Sequence, residues 1–139
     1  MTSASDPTAN DNSVDSPSTT DDGVGSQAGV VVFLSGDLIF ASRVRAAAQA
    51  AGLEFQLAGN LPEQPSDQVR FILVDLSTRS KVVSGLMQSV EERFPNSQVV
   101  AHAPHVQVER LRDARQQGIP NVLTRGQFNE KLATLFDQS

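Results

Sequence analysis

From residue 29 onward, apolar residues follow two alternating rhythms. Val30-Val31-Val32-Phe33-Leu34 is a continuous apolar run stopped by Ser35-Gly36-Asp37, and it predicts a strand buried on both faces. Phe40, Val44, Ala47, Ala48 and Ala51 then recur on one helical face, which Ser35 or Asp37 can cap at its start and Gly52 ends. Leu53-Glu54-Phe55-Gln56-Leu57 alternates strictly and suits a half-exposed strand near a sheet edge. Gly59, Pro62 and Pro65 leave the segment 58–68 room for a turn or so of helix at most. Phe71-Ile72-Leu73-Val74-Asp75 follows, four apolar residues in a row that stop at a single carboxylate, within a strand expected over 70–75.

The second half repeats the alternation. Val83, Leu86, Met87, Val90 and Phe94 form another helical face, ended by Pro95-Asn96. Gln98-Val99-Val100-Ala101 predicts a short strand, and Pro104 delays the next helix to about 105–117. That helix has a thin apolar stripe of Val108, Leu111 and Ala114 and carries Arg110, Arg112 and Arg115, with Gly118 at its C-cap. Asn121-Val122-Leu123-Thr124 is the last strand, and Phe128, Leu132, Leu135 and Phe136 mark a closing amphipathic helix. Five strands alternating with helices imply a parallel sheet with right-handed crossovers and helices on both faces.

Composition narrows what such a chain can do. Its 139 residues suit one domain, and seven Phe can furnish a core although Cys, Trp and Tyr are absent. The lack of cysteine excludes disulfides, thiolate metal sites and a cysteine nucleophile. No apolar run approaches the roughly 20 residues that cross a bilayer, and the N-terminus has no signal-peptide pattern. The expected location is therefore the cytoplasm. The net charge of −5 is carried by residues 1–28, which hold Asp6, Asp11, Asp15, Asp21 and Asp22 and no Lys or Arg. Residues 29–139 balance to zero. The first 28 residues are rich in Ser, Thr, Asp, Pro and Gly and are expected to be a disordered acidic tail ahead of one domain at 29–139.

The predicted strand ends gather Ser35-Gly36-Asp37, Asp75, His102 and Arg125 at one rim, where ligands and chemistry collect in open α/β sheets. The order of elements, the Asp closing the third strand, the polar residue ending the fourth and the basic residue ending the fifth resemble the receiver domains of two-component response regulators. Asp37-Leu-Ile-Phe-Ala-Ser-Arg and Arg125-Gly-Gln-Phe are also similar to small stand-alone receiver-like proteins. The resemblance covers about 29–137. It implies a flavodoxin-like fold, a five-stranded parallel sheet with helices on both faces and the second helix shortened or missing.

By this resemblance Asp75 takes the phosphoacceptor position. Ser35 and Gly36 stand where an acidic pair would hold Mg²⁺, with Asp37 one residue late. His102 replaces a Ser or Thr, Arg125 replaces a Lys, and Val122 takes the place of a switch aromatic. Mg²⁺ demands near-octahedral oxygen ligation, which Asp75 and Asp37 alone supply poorly, so no cofactor is expected. Asp37 more simply caps the first helix, and Arg125 is expected to pair with Asp75 across the rim. Asp75 alone could also be a turn-former before Leu76-Ser77-Thr78. His102 is expected to hydrogen-bond at the rim, and His105 to sit near a helix start.

The expected role is a non-enzymatic stand-alone signalling module with a degenerate phosphorylation site, working through protein contacts. In receivers the fourth helix, fifth strand and fifth helix dock partners, which points to Arg112, Arg115 and Val122. Glu109 and Asp113 interleave with the arginines, so nucleic acid is not the expected partner. The chain ends soon after its last helix, which implies that any regulated output is a separate protein. Two alternatives stay open. One is a phosphorylatable single-domain regulator using Asp75 in a phosphorelay. The other is a nucleotide or flavin binder on the same scaffold.

Overall fold

The two apolar rhythms become strands and helices in strict succession. A computed structural model describes residues 29–138, and the acidic segment expected at 1–28 lies outside the described residues. The order is β1 (Val30–Leu34), α1 (Leu38–Ala50), β2 (Glu54–Ala58), β3 (Val69–Asp75), a one-turn α2 (Leu76–Arg79) and a 3-10 turn (Ser80–Val83). Then come α3 (Leu86–Arg93), β4 (Gln98–Ala103), α4 (Val108–Gln116), β5 (Asn121–Thr124), α5 (Arg125–Leu135) and a closing 3-10 turn (Phe136–Gln138). The strands form one sheet in the order β2-β1-β3-β4-β5, and every pairing is parallel. All carboxyl ends therefore share one rim.

Strand alternation divides the core into two layers. Val31, Phe33, Phe71, Leu73 and Val100 face α1 and α5, meeting Phe40, Val44, Ala48, Phe128, Leu132 and Leu135. Val32, Leu34, Ile72, Val74, Val99 and Ala101 face the other way, onto Leu76, Val83, Leu86, Val90, Leu111 and Ala114. Because β1 and β3 are covered on both sides, they read as unbroken apolar runs rather than alternating ones.

Four features of the chain path bear on the rim. The β2–β3 connection has no helix at all, as its prolines allow. Helical turns fall instead directly after β3, and Gly85, with φ +74, separates them from α3. The face expected to run unbroken from Val83 to Phe94 is thus cut in two, since only glycine adopts that backbone cheaply. β4 continues two residues past Ala101, so His102 is still inside the ladder and pairs with Asp75. Finally, α5 begins at Arg125 behind a capping box, in which Thr124 accepts from the Gln127 amide and the Gln127 side chain accepts from Thr124 N–H. Among the described residues no helix is long and apolar enough to cross a membrane.

Candidate functional site

Asp75 has no solvent exposure, and four donors converge on its carboxylate. Oδ2 accepts from Ser35 Oγ at 2.9 Å and from Thr78 Oγ1 at 3.0 Å. Oδ1 accepts from the Ser77 amide at 3.1 Å and lies 3.5 Å from Arg125 Nη2. Each hydroxyl also accepts a backbone N–H from the loop after β1. Asp37 N–H reaches Ser35 Oγ and Gly36 N–H reaches Thr78 Oγ1, both at 2.9 Å. Two amide–hydroxyl–carboxylate relays therefore tie the β1–α1 loop to the end of β3. Asp75 also caps α2 through its Ser77 bond, so the turn-forming role and the rim position belong to the same residue.

Local sequence explains the convergence. A helical turn directly after β3 places Thr78 three residues on, over the carboxylate that caps it. Ser35 directly follows β1 beside β3, with Leu34 paired to Val74, so its hydroxyl reaches across one strand spacing. Arg125 opens α5 and lays its guanidinium 4.4 Å from the Phe40 ring centroid, a cation–π contact that holds the fork near Asp75. Its Nε is buried without a hydrogen-bond partner.

Asp37 is turned the other way. Its carboxylate accepts from the Phe40 amide at 2.9 Å and caps α1. Beside Gly36 stands a cation instead, for a Cβ built there would meet Arg79 Nη2 at 3.3 Å. Arg79 itself donates to Thr78 O at 2.9 Å. Among the described residues, no three His, Cys, Asp or Glu side chains gather in a metal-holding group.

His102 is not a hydrogen-bonding rim residue. It shares strand parity with Val100, so its ring enters the α1/α5 layer among Phe33, Phe40 and Phe128, with centroids at 6.0, 5.3 and 4.3 Å. Both ring nitrogens are buried and without partners. Burial lowers its pKa from 6.5 to about 4, the Asp75 charge opposes that shift, Arg125 adds to it and Asp37 opposes it. His105 is exposed in the turn before α4.

The residues expected to dock a partner separate. Arg112 is exposed and pairs with Glu109 at 3.5 Å, and Arg115 is exposed nearby. Val122, by contrast, is half-buried and packs inward against the layer beneath α4, because its parity on β5 follows Ala101 on β4. Arg110, also exposed, donates to Leu76 O at 3.1 Å and Ser77 O at 2.8 Å, bracing the turn after Asp75. Arg79 was not singled out by the sequence pattern, and Thr78 and Phe40 were read there only as turn and helix-face residues, not as parts of the site.

No protein-family model and no curated relative matches the chain. Solved structures do. It is similar to a CheY-like response regulator receiver domain protein from Methanospirillum hungatei, with a TM-score of 0.58 at 11% identity over 80% of this chain and 95% of that one. A response regulator from Thermotoga maritima aligns with a TM-score of 0.54 at 15% identity, covering 77% of this chain and 98% of the other. A putative pilus assembly protein from Burkholderia thailandensis gives 0.58 at 12% identity over 80% and 96%. The sheet order and the two helical layers thus match the flavodoxin-like receiver fold of response regulators, and this chain has that fold.

Proposed function

We propose that this chain is a receiver-type signalling module in which Asp75 is a structural anion rather than a phosphoryl acceptor, and that it acts through protein contacts. The observation that carries this reading is the closed shell of donors on a fully buried carboxylate. Attack on phosphorus needs an oxygen free to face the incoming group in line. Here both oxygens are engaged, two donors to each.

The residues present do not fit Mg²⁺, which takes hard oxygen ligands in near-octahedral array. Asp37 spends its carboxylate on a helix cap, Gly36 has none, and Arg79 brings positive charge to that place. The guanidinium of Arg125, 3.5 Å from Oδ1, offsets the buried anion without metal. Nor does the fold require phosphoryl transfer, since one architecture hosts many functions.

What the molecule offers a partner lies outside that pocket. Leu38 and Ile39 at the start of α1 are 71% and 88% exposed, and Val106 and Val108 before and in α4 are 72% and 53% exposed. Both pairs follow strands at the same rim, and Arg112 and Arg115 continue the surface along α4. Large apolar side chains left open beside fixed charges are the composition of a protein-docking surface.

The reading is tested by incubating the chain with acetyl phosphate and Mg²⁺ and measuring intact mass. No phosphoryl adduct is expected, and stoichiometric labelling that disappears in Asp75→Asn overturns it. The double charge reversal Arg112→Glu, Arg115→Glu is expected to keep unfolding stability within about 1 kcal/mol of the parent by urea titration, since each site is an exposed surface position. That leaves the variant fit for partner-binding assays.

A further inference from the structure

A second site lies next to the Asp75 pocket but does not include it. A cleft of about 500 Å³ opens between the β2–β3 connection, at Gly59 and Asn60, and the helical turns after β3, and Arg110 of α4 closes one side. Its lining brings together three cations, Arg79, Lys81 and Arg110, with the hydroxyl residues Ser77 and Thr78. No carboxylate lines it. The recess on the far side of Lys81 and Arg110 does contain Glu109 and Asp113, which bound the cationic zone on that flank.

The three cations are unneutralised. Among the described residues the ion pairs are Arg112–Glu109 and Arg125–Asp75, and none involves Arg79, Lys81 or Arg110. Both arginines are nonetheless held in place by neutral backbone acceptors, Arg110 on Leu76 O and Ser77 O and Arg79 on Thr78 O. Such anchoring fixes a guanidinium without cancelling its charge, which lowers the ordering cost of binding an anion. Arg79 also keeps Nε buried with no hydrogen-bond partner.

We propose that this cleft binds an oligophosphate anion, either inorganic pyrophosphate or the diphosphate of a nucleotide. Planar guanidinium forks match phosphoryl oxygens bidentately, while Lys81 supplies a mobile point charge. A diphosphate carries roughly as much negative charge as the three cations carry positive, and the cleft volume lies in the range of small-ligand sites. No aromatic side chain lines the cleft, so recognition rests on the phosphates and not on stacking of a base. The proposal is independent of whether Asp75 accepts a phosphoryl group.

The test is a titration of the full chain with pyrophosphate, free of divalent metal and at constant ionic strength, followed by amide ¹H–¹⁵N spectra. Saturable shifts centred on Asn60 and residues 77–81 are expected. Lys81→Glu, which breaks no described hydrogen bond, should weaken binding about tenfold or more, and Arg115→Glu should leave it unchanged. A parallel titration with a nucleoside diphosphate separates the two sources. Equal affinity assigns recognition to the phosphates alone, and tighter binding at the same amides assigns it to the nucleotide. Shifts that never saturate, shifts centred on Gly36 and Leu38 at the Asp75 pocket, or equal affinity in Lys81→Glu overturn the proposal.

Discussion

Replacing Asp75 with alanine is expected to lower unfolding stability by about 3 kcal/mol and the Tm by roughly 10 °C. The carboxylate accepts from two hydroxyls, one backbone amide and one guanidinium, and it has no solvent exposure. Its removal leaves Ser35 Oγ buried without its acceptor, uncaps α2 and releases Arg125, whose Nε already lacks a partner. It also cuts both relays that fasten the β1–α1 loop to β3. Buried donors stripped of an acceptor cost about 1–3 kcal/mol each, and water reaching the more exposed Thr78 and Arg125 offsets part of the sum. The opposite sign is expected of an acceptor pocket built from clustered carboxylates, where removing one negative charge relieves repulsion among the rest. Urea titration of Asp75→Ala and Asp75→Asn decides between the two. The amide keeps one acceptor oxygen and should lose less than the alanine. An alanine variant as stable as the parent would sink the view of Asp75 as a structural anion.

Most of the fold was legible because both rhythms are strong where burial is two-sided. The runs at 30–34 and 71–74 have no polar interruption, and the prolines at 62 and 65 correctly leave the β2–β3 connection without helix. The rim was legible in part. Charges at the ends of β3 and α5's start could be paired by position, and Asp37 could be read as a cap. What escaped depended on one or two residues of register. β4 was expected to stop at Ala101, which put His102 on the rim, whereas two further ladder residues turn it into the aromatic layer. Counting parity from Val100 would have placed it there. Val122 followed a family correspondence, while its parity with Ala101 puts it against the core. Thr78 and Arg79 were passed over because no helical turn was expected directly after β3, and only that turn brings them back over the pocket. The capping box of Thr124 and Gln127 was visible as a spacing but lay under a strand assignment.

Acidification is expected to destabilise the domain through His102, by about 3 kcal/mol between pH 7 and pH 4. The ring is buried among Phe33, Phe40 and Phe128 with neither nitrogen partnered, and burial brings its pKa down to about 4. The charged groups acting on it are Asp75 and Asp37, which favour protonation, and Arg125, which opposes it. In the unfolded chain the same imidazole takes up a proton near 6.5. Between those two values the unfolded state therefore binds more protons than the native state, and stability falls as pH falls. Below about pH 4 the native ring is protonated too, and this contribution levels off. Other carboxylates titrate over part of the same range, so the measurement is a comparison of two chains by urea titration from pH 7.5 to 3.5. In His102→Leu an apolar side chain of similar volume fills the same aromatic layer with no proton to bind. The two curves should lie close together near pH 7.5, with the variant equal or higher because no unsatisfied ring nitrogen remains. They should then diverge steadily down to about pH 4, the parent losing the extra amount. Parallel curves would mean that the imidazole takes up its proton in place, and that the aromatic layer opens to water or supplies an acceptor when it does.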